Sequence, residues 1–475
     1  MKNKLILWGA VLLLGMIIQS SCPVRSQCDP SGNWMAHLES HGNQIEIGIH
    51  IEGTLRNWSG FLISPDQTVE PFPFDTVILV GDTLRMTIKK SKIKVEGVLS
   101  RSCDSLVGSW KQGSAEAPLI YLRVSALPDL SRPQEPHPPY PYKSEEVSFV
   151  NKKAKITLQG TLTYPEGTGP FPALILITGS GPQNRDEELL GHKPFLLIAD
   201  YLTRHGFAVL RFDDRGTGKS EGDFASATSF DFAEDVSAAF DFLSKCSQVD
   251  AKRIGLIGHS EGGMIAPIVA AKNKKVAAIV LLAGPGTTGK QILLSQAELI
   301  GKADGSDEKK LQENLALARR IYDCIETAKN KEQMAEQIRN VFNDQIKEMS
   351  PEEIEKEGWT TIAMNSQIAT LTSDWFTTFV KFDPRVWLKK VQCPVLALNG
   401  EKDLQVPAKE NLTAIEYALE QGKCTQFQTL AFEGLNHLFQ PCSTGSPSEY
   451  IRINVTMSED VLKAMEEWLR KILMP

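Results

Sequence analysis

Four segments of this chain are almost wholly apolar: ALILIT at 173–178, AVLRF at 208–212, RIGLI at 253–257 and VAAIVLLA at 276–283. A strand reads this way when both of its faces are covered, because neither side of the pleat then meets water. Helical patterns separate the runs, at about 193–205, at about 230–244 and after residue 260. Strands alternating with helices predict the α/β class, a mostly parallel sheet covered by helices on both faces. Two shorter runs, 147–150 and 156–162, read as a hairpin that opens this region. A helix over about 458–473 closes it, with Ser458 as N-cap and Glu459 and Asp460 against the positive end of its dipole. The unit spans 145–475.

The interval from about 287 to 388 breaks the alternation. It is rich in Glu, Lys, Gln and Ala, carries helical patterns at 292–300, 308–323 and 331–346, and holds no convincing strand. An insertion of this length between two strands predicts a helical cap above the sheet. Asp374, Trp375, Phe376 and Phe379 near its end are candidates either for pocket lining or for plain packing. Prolines crowd 126–144 and predict a stiff, extended linker. Before it, residues 28–125 alternate polar and apolar with period two, in runs at 44–51, 76–80, 84–88 and 92–99. Turn signals such as Gly81-Asp82 and Ser64-Pro65-Asp66 separate runs of this kind. The pattern predicts a small all-β domain, a barrel-like antiparallel meander with Trp34, Trp58 and Trp110 in or near its core.

Lys2 and Lys4 precede an apolar stretch over 5–18, which ends in Gln19-Ser20-Ser21-Cys22. This predicts a signal peptide over 1–21, with no integral membrane span left after its removal. Cys22 is a candidate lipoprotein site, although Gln19 and Pro23 fit such a site poorly. The expected destination is periplasmic, extracellular or lipid-anchored at the cell envelope, where disulfides are permitted. Cys28 and Cys103, near the two ends of the β domain, are the first pair to test. The eight cysteines are otherwise scattered without Cys-x-x-Cys, so no metal site and no cofactor is expected. A net charge of −7 argues against nucleic acid and leaves no basic patch for a membrane surface. Oligomeric state is not written in these residues.

The run at 253–257 ends in Gly258-His259-Ser260-Glu261-Gly262 and turns straight into a small-residue helix. In that context G-x-S-x-G is a nucleophile elbow, with the serine on a bend too tight for most side chains beside it. A second match, Gly218-Lys219-Ser220-Glu221-Gly222, serves as an internal control. It follows the polar loop Asp213-Asp214-Arg215-Gly216 and leads into no helix, so Ser220 reads as a loop serine. The same GTGKS stretch lacks the glycine of a P-loop, since Asp213 stands in its place.

A serine hydroxyl needs a base, and the base needs an orienting acid. Of the eight histidines only His437 follows Ser260, in a loop between the run at 426–432 and the last helix. The acid belongs on a loop after the preceding strand, where Val395-Leu396-Ala397-Leu398-Asn399-Gly400 runs into Glu401-Lys402-Asp403. Asp403 lies further into that loop than its competitor Glu401 and is the better candidate. Three groups in the order Ser, Asp, His, each at the end of a strand-like run, make a catalytic triad.

These residues resemble the α/β-hydrolase superfamily, and within it a branch of secreted bacterial carboxylesterases related to the serine aminopeptidase S33 group. The likeness rests on GSGPQNRDE at 179–187, FDDRGTGKS at 212–220, GHSEGG at 258–263, and the stretch from Cys393-Pro394-Val395 to Val406-Pro407. It covers about 145–475 and implies the α/β-hydrolase fold with a cap. It further implies oxyanion donors at the backbone N–H groups of Ser180 and Glu261, and a small-molecule ester with a short acyl chain as substrate. Many relatives begin the first loop with His-Gly, and Thr178 stands there instead, which leaves open what supports that loop. An aminopeptidase or acylpeptide hydrolase using the same triad is the alternative, because an acidic cap can conceal a carboxylate for an α-amino group. A non-catalytic binding protein is the alternative of another class, and the intact serine, base and acid oppose it.

Overall fold

The computed structural model describes residues 28–40, 43–54, 57–347 and 349–474. The expected signal peptide and Cys22 lie outside the described residues. Two compact units divide the chain, one holding residues up to 64 and 70–127, the other 65–69 and those from 128 onward.

The first unit is built on one antiparallel sheet: β1 (Gly32–Ser40), β2 (Asn43–Thr54), β3 (Asn57–Ser64), β4 (Thr68–Pro73), β5 (Thr76–Val80), β6 (Thr83–Ile88), β7 (Ile93–Leu99), β8 (Ser105–Gln112) and β9 (Ala115–Val124). Their order is β4-β3-β2-β1-β9-β8-β7-β6-β5, so the first and last strands meet mid-sheet as it curls into a half-barrel. Period-two patterning sorts the side chains. In β7, Ile93, Val95 and Leu99 are buried while Lys94, Glu96 and Val98 face water. Trp34 and Trp110 sit in the core with Met86 and Tyr121, and Trp58 packs half-buried against it. A disulfide joins Cys28 to Cys103.

The second unit holds β10 (Tyr142–Asn151), β11 (Ile156–Pro165), β12 (Phe171–Ile177), β13 (Ala208–Phe212), β14 (Val249–His259), β15 (Ala278–Leu282), β16 (Val395–Gly400) and β17 (Phe427–Phe432). Their order is β10-β11-β13-β12-β14-β15-β16-β17. The β10–β11 and β11–β13 pairs are antiparallel, and from β13 onward every neighbour is parallel. β10 begins at Tyr142, so the end of the stretch expected to be linker is already strand. On one face Ile175, Leu256 and Leu281 pack with α2 (Ser229–Leu243) and α3 (Gly262–Lys272), while on the other Leu174, Ile257 and Val280 pack with α1 (Pro194–Arg204). This explains why the runs lack polar residues: alternate side chains enter different cores. Burying each such side chain stabilises by about 1.5–3 kcal/mol. Five-residue β15, buried at every position, is therefore held by packing as much as by its ladder.

Between β15 and β16 the chain leaves the sheet for seven helices: α4 (Gly289–Ala303), α5 (Glu308–Thr327), α6 (Lys331–Ile346), α7 (Pro351–Lys356), α8 (Thr361–Leu371), α9 (Asp374–Lys381) and α10 (Arg385–Leu388). Ile325, Ile338, Phe342 and Val380 give this cap a core of its own. Side chains of Thr288, Asp307, Asn330, Ser350, Thr360 and Ser373 cap six of these helices. Helices α7 and α10, at six and four residues, are too short to show an amphipathic repeat. After β16 come α11 (Ala408–Glu420) and, after β17, α12 (Glu459–Leu473). Ser458 occupies the N-cap of α12 in an extended conformation, but its side chain makes no capping bond. Glu459 and Asp460 answer the dipole there instead. No helix among the described residues is long and apolar enough to cross a membrane.

Candidate active site

β14 ends at His259 and α3 begins at Gly262, and Ser260 between them has φ +50°. An L side chain held there stores on the order of 1–3 kcal/mol of strain. The two flanking glycines are dictated by contact. A Cβ on Gly258 would lie 2.1 Å from the carbonyl oxygen of Gly262, and one on Gly262 would lie 2.2 Å from that of Ile177. The Ser260 N–H donates to the Leu282 carbonyl at 2.9 Å, which fastens the bend to the end of β15.

His437 lies in the loop after β17 and Asp403 in the turn after β16. The His437 Nδ1–H donates to Asp403 Oδ2 at 2.8 Å. Asp403 Oδ1 accepts the backbone N–H groups of Gln405 and Val406, both at 2.8 Å. Asp403 and His437 are 2% and 4% exposed, whereas Glu401 is exposed, so the choice between the two acids follows burial. Asn436, fully buried, braces the histidine loop: its amide oxygen accepts the Leu438 and Gln440 N–H groups at 3.0 and 2.9 Å. Ser260, His437, Ser180 and Glu261 all line one cavity of about 250 Å³. The cap contributes Ile292, Leu293, Trp375 and Phe379 to its wall, while Phe376 packs against the cap core instead.

Support for the loop after β12 comes from acids. The Thr178 hydroxyl donates to Asp214 Oδ1 at 2.7 Å, and the Gln183 N–H to Asp214 Oδ2 at 2.9 Å. Burial pushes the Asp214 carboxyl up to about 8. The Gly179 N–H donates to Glu187 Oε1 at 2.6 Å. The neighbouring residues in Asp213-Asp214-Arg215 do separate work: Asp213 grips Arg185 through two bonds of 3.0 and 2.9 Å, and Arg215 grips Asp235 through bonds of 2.6 and 2.8 Å. Ser220 is consumed by this loop. Its hydroxyl donates to the Asp213 carbonyl at 2.7 Å and accepts the Gln159 N–H at 2.9 Å.

Two residues escaped the sequence reading. Glu187 Oε1 also faces His259 Nδ1 at 3.0 Å, and His259 Nε2 faces the His437 carbonyl at 3.2 Å. Each ring nitrogen of His259 thus faces an acceptor, which favours the protonated ring. Burial works to lower its pKa, but the Glu187 carboxylate, the His437 carbonyl and Asp403 together outweigh that and the net shift is upward. The pair thus ties the loop after β12, the elbow and the histidine loop together. No spacing marks it in the sequence, where Glu187 was only the last letter of a shared block. Among the described residues no cluster of His, Cys, Asp and Glu is arranged to hold a metal ion.

The family described as "serine aminopeptidase, S33" has a model that matches residues 194–349. Esterase EstD of Thermotoga maritima is 25% identical over 446 residues, which cover 93% of this chain and 92% of that one. The fold is that of the α/β hydrolases. An uncharacterized protein of Pseudomonas aeruginosa is 35% identical to the hydrolase over 138 residues, 28% of this chain and 35% of the other. Among solved structures, a Pyrococcus furiosus esterase superposes with a TM-score of 0.44 at 15% identity, covering 70% of the hydrolase and 92% of that chain. Homology across nearly the whole of both sequences makes the hydrolase a relative of carboxylic ester hydrolases.

Proposed function

We propose that this hydrolase cleaves carboxylic esters with short acyl chains by two-step acyl transfer through Ser260, His437 and Asp403. The observation that carries the proposal is the buried 2.8 Å His437–Asp403 bond beside the cavity that Ser260 lines. With Nδ1 committed to Asp403, His437 Nε2 takes the proton as Ser260 Oγ bonds to the ester carbonyl carbon. The carbonyl π pair moves to oxygen, and the N–H groups of Ser180 and Glu261 receive that oxyanion. Collapse expels the alkoxide, which leaves with the proton from His437. Water then repeats both halves on the acyl-enzyme and frees the acid. A cavity of about 250 Å³ is smaller than those that enclose drug-sized ligands, which supports a short acyl group.

Aminopeptidase action is the second reading. It is favoured by the S33 family match and by Glu187 Oε2, a buried carboxylate oxygen at the cavity with no hydrogen-bond partner among the described residues. Export to an oxidising compartment is part of the same proposal, supported by the N-terminal pattern and the Cys28–Cys103 bond. Ser260→Ala should lower p-nitrophenyl acetate turnover on the order of 10^6-fold with unchanged circular dichroism. Activity near that of the native protein would end the mechanism. Rates on a series of nitrophenyl esters against aminoacyl anilides choose between the two readings, and dominance of the anilides would reject the ester.

A further inference from the structure

The mechanism uses only the backbone N–H of Glu261, yet its side chain is among the most unusual groups in the cavity wall. The carboxylate is 1% exposed, and the groups that bond it are neutral donors. The Ser229 hydroxyl donates at 2.5 Å, and the Trp375 indole N–H reaches both oxygens at 3.0 and 3.1 Å. Burial pushes the Glu261 carboxyl upward, and these donors pull against it. A carboxylate so placed is tolerated only when its lone pairs are used.

The donors come from two places: Ser229 is the first residue of α2, and Trp375 stands on cap helix α9. Glu261 itself supplies one oxyanion N–H. That donor is therefore joined to the cap through its own side chain. Elsewhere the cap meets the sheet side through apolar side chains such as Ile292, Phe379 and Phe382, whose packing is non-directional, and at the end of α4 through a bond from the Ser446 hydroxyl to Asp304 at 2.6 Å. The indole–carboxylate bond is directional, and the indole is fixed in turn by stacking on Phe379, with ring centroids 5.4 Å apart.

We propose that Trp375 and Glu261 are positioning residues through which the cap sets the aim of the Glu261 oxyanion donor. The proposal rests on the acyl-transfer reading above. An N–H stabilises a developing oxyanion only if it is aimed before the reaction begins. A residue that merely lined the wall would need a ring there and no N–H.

Trp375→Phe keeps the ring and removes that N–H. With p-nitrophenyl acetate, kcat should fall about tenfold and KM stay within about threefold, since the lost interaction acts in the transition state. Glu261→Gln should do the same, and the double variant should be no worse than the poorer single one. Affinity for a trifluoromethyl ketone, which forms an oxyanion on Ser260, should weaken by the same factor while the thermal midpoint holds. An unchanged kcat, a change in KM alone, or additive losses would each overturn the proposal. If Glu261→Gln fails to fold, Trp375→Phe still decides the matter on kcat and ketone affinity. Loss of activity in Ser260→Ala together with a fully active Trp375→Phe would sink this inference and spare the mechanism, whereas an active Ser260→Ala would sink the mechanism itself.

Discussion

Asp403 shows how much one side chain is asked to do. One oxygen orients His437 and the other takes two backbone N–H groups, so three of the carboxylate's roughly four lone-pair sites are used. Asp403→Asn brings an amide NH2 to a site where donors already converge and favours the wrong imidazole tautomer. Its kcat on a nitrophenyl ester should fall on the order of 10^4-fold, with the folded spectrum retained. Ser220 is the matching control, because it shares the motif with Ser260 and points its hydroxyl into a loop. Ser220→Ala should keep kcat and lose about 1 kcal/mol of stability in urea titration, the ordinary worth of a buried hydrogen bond. A collapse of activity in that variant would mean the wrong serine has been assigned.

At the scale of elements, the legible parts are those that a repeating pattern announces. β12 to β15 came through as apolar runs because each is covered on both faces, and β7 as alternation because only one of its faces is. Helices α5 and α6 were visible through their repeats, while α7 and α10 are too short to carry one. The meeting of His437 with Asp403 beside the cavity that Ser260 lines was legible from chain order, since each of the three follows the end of a strand. Glu187, His259 and the side chain of Glu261 were not, because their partners lie on loops and helices that no local pattern connects. The loop after β12 carries a pH signature of its own. Asp214, raised to about 8 in the fold, keeps a proton that the unfolded chain releases near 3.9. Stability conferred by that proton is complete below the unfolded value, falls as pH climbs toward 8, and levels off beyond. In Asp214→Asn, thermal midpoints should therefore drop less between pH 5 and pH 8 than in the native protein. Equal slopes in the two proteins would show that Asp214 is ionised throughout.

Over the whole molecule, the two units depend on different restraints. The first closes with a bond between residues 75 apart in sequence, and the loop-entropy account values such a closure at about 4 kcal/mol. Cys103→Ser should lower the unfolding free energy of that unit, read by urea titration, by an amount of this order. The residues assigned to catalysis all lie in the second unit, so ester turnover should persist in that variant at low denaturant. Simultaneous loss of both would mean that the units fold as one.

The seven cap helices leave the sheet at β15 and return at β16, and these strands are parallel neighbours with Ile279 beside Val395. Departure and return thus pass through adjacent slots, so the length of the excursion places no demand on the framework below. Such an insert behaves as an exchangeable cassette, and chemistry can stay constant while the choice of substrate is rewritten above it. The exchange carries one condition: a replacement has to present a hydrogen to the buried acid beside Ser260, where the indole of Trp375 now reaches.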